Sequence, residues 1–173
     1  MVLDEESYSQ VKYCSSCGNR LILKKDKENK LRAFCPSCGQ TYYKNPIPAS
    51  ACVILNEKKE VVIIKRKNEP KLGQWALPSG YIEIDQDPEE TAVTEMQEET
   101  GLTGEVTKFI GYYSDFSPLY EKVISFGFLM KTNGGKLQAG DDAAEARYVP
   151  FSQLPTLAFK SHDYFIEQVK KII

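Results

Sequence analysis

Residues 77–102 read LPSGYIEIDQDPEETAVTEMQEETGL, and this stretch decides the fold. Asp87 is a natural helix N-cap, Pro88 suits the first helical position, and Glu90 stands three residues after the cap, as a capping box requires. Gly101 supplies the C-terminal stop, so the spacing predicts a helix over Pro88–Thr100. At ~100° per residue Glu95, Glu98 and Glu99 share one face with Thr91 and Leu102. Ala92, Met96 and Val93 form an adjoining apolar stripe for packing on a sheet. Three carboxylates at i, i+3 and i+4 repel one another and weaken an isolated helix. A divalent cation with oxygen ligands would compensate, although acidic helix faces are more often simply solvated.

Around this helix the chain reads mostly as strands. Ser50–Leu55 and Val61–Lys65 are rich in β-branched residues and flank the polar NEKKE, the pattern of a hairpin. A short strand is expected near Trp75–Leu77, longer ones over Glu105–Ser114 and Val123–Lys131, and a last one over Ala146–Val149. Gly134-Gly135 reads as a turn. Ser161–Ile173 has helical spacing, with Ser161 as its cap, and His162 just after it reads as a surface residue. Hairpins dominate and helices pack on them, so the fold class is α+β with a mixed sheet.

Upstream lie two cysteine pairs, Cys14/Cys17 and Cys35/Cys38, seventeen residues apart and each followed by glycine. Two residues between cysteines let both thiolates turn toward one ion, and two such pairs supply the closed sulfur set of a structural zinc site. With no position left for water, Zn2+ there is structural and part of the module's folding free energy. Short strands at Arg20–Leu23 and Leu31–Phe34 flank the charged tip KKDKENK. The remaining cysteine, Cys52, lies in an apolar run and reads as a small buried hydrophobe. The expected organisation is a polar lead-in at 1–12, a zinc ribbon at 13–43, a linker at 44–48 held open by Pro46 and Pro48, and a larger domain at 49–173.

The totals are those of a soluble globular protein: 173 residues, 42% hydrophobic, 27% charged, formal charge −2. The slightly acidic balance argues against a general grip on nucleic acid or membrane, and no apolar run is long enough to span a bilayer. The start MVLDEESYSQ is neither a signal nor a transit peptide, so a cytoplasmic location is expected. The sequence leaves self-association into a homodimer open.

Gly80, Glu95, Met96, Glu98, Glu99, Gly101 and Leu102, with Trp75-Ala-Leu-Pro upstream, together resemble the Nudix box. The resemblance implies an α/β/α sandwich and a hydrolase acting on phosphorus-containing anhydrides. It further implies that Glu95, Glu98 and Glu99 are catalytic metal ligands, assisted by the Gly80 carbonyl, for Mg2+ or Mn2+. Two positions depart from the pattern: Gln86 stands where the family has a glutamate, and Thr94 where it has an arginine. Both partners of a charged contact have gone, leaving a neutral pair.

A general base is expected from these glutamates or from Asp141, Asp142 or Glu145. Arg66 and Lys65, ending a strand, are candidates for phosphate. Trp75, Tyr112, Tyr113, Phe116 and Tyr120 are candidates for stacking on adenine or flavin, against the commoner fate of strand aromatics as core.

The small-molecule partner is expected to be a dinucleotide. The SQPWPFP-like signature of NADH pyrophosphatases is absent from GYYSDFSPLYEKV. Pro118, sixteen residues past Leu102, is similar to its placement in ADP-ribose pyrophosphatases. KLRAFCPSCGQTYYKNP and PFSQLPTLAFKS resemble the plant FAD pyrophosphatase group. Two rival readings are a Nudix domain that senses a nucleotide without turning it over, and a zinc-ribbon protein that binds nucleic acid through its basic tip.

Overall fold

The computed structural model describes residues 11–173, so the expected lead-in at 1–12 lies mostly outside the described residues. The chain divides into two compact units between Asn45 and Pro46.

The first unit is a three-stranded antiparallel sheet in the order β1 (Ile22–Lys25), β2 (Leu31–Phe34), β3 (Thr41–Tyr42). Its first strand starts two residues later than the Arg20–Leu23 expected, because Arg20 is taken by an isolated bridge to Tyr13. The charged tip folds around Asp26, whose Oδ1 accepts from the amides of Glu28 and Lys30 at 2.9 Å each.

The second unit holds a seven-stranded mixed sheet. Its strands are β4 (Ile47–Leu55), β5 (Glu60–Arg66), β6 (Trp75–Ala76), β7 (Ser79–Tyr81), β8 (Leu102–Ser117), β9 (Glu121–Gly135) and β10 (Ala143–Pro150). The main path runs β10-β5-β4-β9-β8, with β6 on β5 and β7 on β4. Helix α1 (Pro88–Thr100) and helix α2 (Lys160–Lys170) complete it.

Strand β4 is buried on both faces, which is why its sequence is a continuous apolar run and not an alternating one. Its odd residues Ala51 and Val53 join Val61, Ile63, Phe165, Ile166 and Val169 in the core beneath α2. Its even residues Cys52 and Ile54 join Val62, Ala92, Met96, Phe128 and Met130 beneath α1. One helix on each face makes the α/β/α sandwich. Two bonds pin α1 to β4: Ser50 Oγ donates to the Pro88 carbonyl at 2.7 Å, and the buried Cys52 Sγ to the Ala92 carbonyl at 3.0 Å.

Helix α1 has its expected bounds and caps. Asp87 accepts from the amides of Glu89 and Glu90, the Glu90 side chain accepts from the Asp87 amide, and Gly101 sits in the left-handed region at φ 67°.

Several expectations are corrected. Ile47 and Pro48 open β4 instead of lying in a linker; Pro48 pairs in register with Ile124 and offers its carbonyl to the Ile82 amide. Gly134 and Gly135 continue β9 opposite Thr103 and Leu102 and form no turn. Helix α2 starts at Lys160 after Phe159, without a side-chain cap, and Ser161 lies inside it. Val93 is 37% exposed and Thr91 takes its place at the buried face of α1. Among the described residues no helix is long and apolar enough to cross a membrane.

Candidate active site

Helix α1 and the loop before it build one wall of a cleft of about 720 Å³. Strand β7 brings Ser79 and Gly80 alongside the helix, and the Ser79 amide donates to Glu99 Oε2 at 2.8 Å. Glu95 lies directly over Gly80, where a Cβ would push its carboxylate out of this position. Glu98 lines the cleft beside them, and Asp141 and Asp142 enter from the loop before β10. That loop is tied to the end of β5 by Asn68, whose Nδ2 donates to Asp142 Oδ1 at 2.5 Å.

This concentration of carboxylates sets the electrostatics. Burial pushes the Glu95 carboxyl up to about 7, reinforced by Glu98, Asp141 and Asp142. Burial pushes Glu99 up to about 8; the Ser79 amide and Arg66 oppose this, while Glu95 and Asp142 add to it. None of the three glutamates has a cationic side chain in an ion pair among the described residues. Hard oxygen donors gathered around a glycine have the chemistry of a divalent-cation site.

The positions without the family's charges meet each other. Gln86 Nε2 donates to Thr94 Oγ1 at 3.4 Å, and Thr91 Oγ1 donates to Gln86 Oε1 at 3.1 Å.

Of the other sequence candidates, Arg66 lines the cleft, its Nε donating to the Pro70 carbonyl at 2.8 Å and its guanidinium 5.3 Å from the Phe159 ring. Phe116, near the end of β8, and Pro118, in the turn after it, also line the cleft. Six other candidates do not: Lys65, Trp75, Tyr112, Tyr113, Tyr120 and Glu145, with Tyr120 edge-on to Tyr81 at 5.3 Å between ring centroids. Trp75 is half-buried against the α2-side core, with Arg147 4.0 Å from its ring centroid. Tyr113 packs on Tyr164 in the same core, and its strand neighbour Tyr112 faces outward, 64% exposed. Glu145 pairs in register with Lys65 and does not line the cleft. Lys65 follows the same rule: successive strand residues face opposite ways, so Arg66 reaches the cleft and Lys65 turns to Trp75.

His162 also corrects the sequence reading. It is buried at 2% exposure, lines the cleft, and its Nδ1 accepts from the Leu77 amide at 3.1 Å. Burial, with Arg66 nearby, holds its pKa down to about 3, so it is a neutral imidazole. Tyr81, Lys71, Phe159 and Lys160 line the cleft without having been singled out; only Phe159 carried a hint, an aromatic just before a helix start.

Residues 45–169 match the NUDIX domain, and residues 12–44 match the Nudix N-terminal zinc ribbon. The chain belongs to the Nudix hydrolase family. An ADP-ribose pyrophosphatase of Methanocaldococcus jannaschii is 42% identical over 116 residues, 66% of this chain and 68% of that protein. An NAD-capped RNA hydrolase of Photobacterium profundum is 25% identical over 150 residues, 86% of this chain but 53% of its own length, so the Nudix chain described here spans about half of that relative. A NUDIX hydrolase of Nitrosomonas europaea superposes with TM-score 0.81 at 26% identity, covering 94% of this chain and 92% of the other.

The ribbon of this Nudix hydrolase gathers the sulfurs of Cys14, Cys17, Cys35 and Cys38 within 4.8 Å of one another. Cys14–Cys38 and Cys17–Cys35 are each 3.5 Å apart, close to the roughly 3.8 Å edge of a tetrahedron with ~2.3 Å zinc–sulfur bonds. Tyr42 braces this set: its hydroxyl donates to Cys14 Sγ at 3.2 Å and accepts from the Ser15 amide at 2.8 Å.

Proposed function

We propose that this chain hydrolyses the pyrophosphate bond of a nucleoside diphosphate linked to a second moiety, with ADP-ribose the first candidate and FAD and NADH-like dinucleotides next. The observation that carries the reading is the convergence of Glu95, Glu98 and Glu99 with Gly80 in one cleft that also holds Arg66. The archaeal relative's name supports placing ADP-ribose first.

In this reading Glu95, Glu98, Glu99 and the Gly80 carbonyl would hold Mg2+ or Mn2+. Bound there, the cation would supply charge neutralisation for the diphosphate and a lowered pKa for a water molecule. The chain's own residues do the rest. Arg66 takes a phosphate oxygen through its guanidinium. Ser79 holds Glu99 in orientation. Asp141 or Asp142 accepts the proton from the attacking water as the bridging P–O bond breaks. Tyr81, Phe116 and Phe159 offer ring faces to the base or its partner moiety. Zn2+ in the ribbon is structural.

The test is product analysis with ADP-ribose, FAD, NADH and a nucleoside triphosphate, with Mg2+ or Mn2+, on wild type and Glu98→Gln. Release of AMP from ADP-ribose, abolished in Glu98→Gln, is the expected result. Tight binding of these ligands with no turnover would instead make the chain a nucleotide sensor and refute the enzymatic reading.

A further inference from the structure

The chain's nearly balanced total hides a segregation of charge. Residues 11–45 carry eight lysines and arginines against two acidic residues, a net charge of +6. Residues 46–173 carry fourteen against nineteen, a net charge of −5. Salt screens exposed charges beyond roughly 8 Å, so local charge density, not the total, governs contact with a polyanion.

The ribbon sheet arranges part of this charge on one face. Directly opposed residues of an antiparallel ladder share a face. Ile22 lies opposite Phe34, and Lys24 opposite Arg32. The other face carries the fully buried Ala33 and its partner Tyr42, which is occupied with Cys14. On the outer face Lys24 Nζ stands 4.6 Å from the Phe34 ring centroid, and the Arg32 guanidinium 5.1 Å from that of Tyr43. Arg32 is steadied by Asp26 at 3.1 Å. Tyr43 is 64% exposed, and Ile22 49%. The face therefore presents cations and rings in alternation, with Lys27 at the tip beyond it and Lys30 there paired to Glu28 at 2.6 Å.

We propose that this face binds single-stranded nucleic acid. Unpaired bases expose flat π-faces that stack on rings such as Tyr43 and Phe34, and the intervening phosphates meet lysine and arginine. A duplex keeps its bases stacked internally and would use only the charges. An anionic bilayer rewards several inserting apolar side chains, and Ile22 is the one aliphatic residue this face exposes among the described residues. The inference is independent of the hydrolytic reading, because none of these residues lines the cleft.

The test uses the full zinc-loaded chain and fluorescein-labelled mixed-sequence 12-nucleotide single strands, RNA and DNA, followed by anisotropy. Binding is expected at 50 mM salt and weakens roughly twentyfold by 200 mM, the dependence for about three phosphate contacts on a single strand. Tyr43→Ala is expected to weaken binding about fivefold or more. Lys24→Gln is expected to lower the salt slope by about one. Both variants keep their zinc content and their rate on a small dinucleotide, and the RNA and DNA arms show which strand is preferred. The proposal is overturned if neither single strand binds at 50 mM salt, if both variants bind like wild type, if the duplex binds as tightly as the strand, or if only phosphatidylserine vesicles are bound.

Discussion

Gln86 Nε2 donates to Thr94 Oγ1 across the start of α1, 3.4 Å apart, where the Nudix pattern has a glutamate and an arginine. The neutral pair keeps a contact between the loop and the helix without adding charge beside Glu95 and Glu98. Gln86→Glu alone adds a carboxylate to an already acidic wall and should lower both stability and turnover. Thr94→Arg together with it should recover part of the loss. A double-mutant cycle on thermal unfolding and kcat is expected to give a coupling of about 1–2 kcal/mol; additivity would show that the two positions do not communicate.

Glu98→Gln and Glu99→Gln should each retain the fold, since glutamine at 99 still accepts from the Ser79 amide. Their turnover should fall by more than the roughly 100-fold that outer partners of a metal site cost. Steady-state kinetics against the divalent cation concentration checks this, and excess Mg2+ should not rescue Glu99→Gln.

The raised Glu95 and Glu99 carboxyls make the metal-free cleft pH-sensitive. Their folded-state values of about 7 and 8 exceed the usual carboxylate value of 4.5. Their contribution is therefore fully present below about pH 4.5 and is lost as pH rises through 7 to 8, at up to ~1.4 kcal/mol per unit for each group. Zinc-loaded protein without Mg2+ should lose thermal stability over this window. Adding Mg2+ should release protons and raise Tm most at the alkaline end; an Mg2+-induced shift that is constant from pH 5 to 8.5 would contradict the assignment.

His162 predicts the opposite trend at acid pH. Its folded value of about 3 lies below the usual 6.5, so stability is fully present above 6.5 and declines as pH falls toward 3. His162→Phe leaves the Leu77 amide without its acceptor and should cost about 1–3 kcal/mol. In the variant the acid-side decline should flatten, which urea unfolding at pH 4.5 and 7 would show.

Zinc removal should act on the ribbon first. A chelator or Cys35→Ser takes away the ligand set that holds a unit too small for its own core. Limited proteolysis should then cut within residues 11–45, while the cooperative unfolding of the larger unit persists.

Much of this was legible in the sequence because it is local. Helix α1 announces itself through Asp87, Pro88, Glu90 and Gly101, all within one or two turns of the ends they define. The cysteine pairs are local in the same sense. The α/β/α layering was legible from resemblance, and the unbroken apolar run of β4 agrees with it. What stayed hidden depends on distant partners. His162 looks like a surface residue until the fold places Leu77, 85 positions earlier, against its ring. The choice between Lys65 and Arg66 turns on the phase of a strand, which no local pattern supplies. Trp75 and Tyr113 read equally as stacking surfaces or as core, and packing under α2 decides for core.

The bond from Ser79 to Glu99 has a consequence for how the sequence can drift. The contact that Ser79 of β7 makes with Glu99 comes from a main-chain N–H, so the side chain at position 79 carries little of it. Substitutions there that suit an extended backbone should be absorbed with small change. Proline alone abolishes the donor outright, and would loosen a carboxylate twenty residues further along the chain.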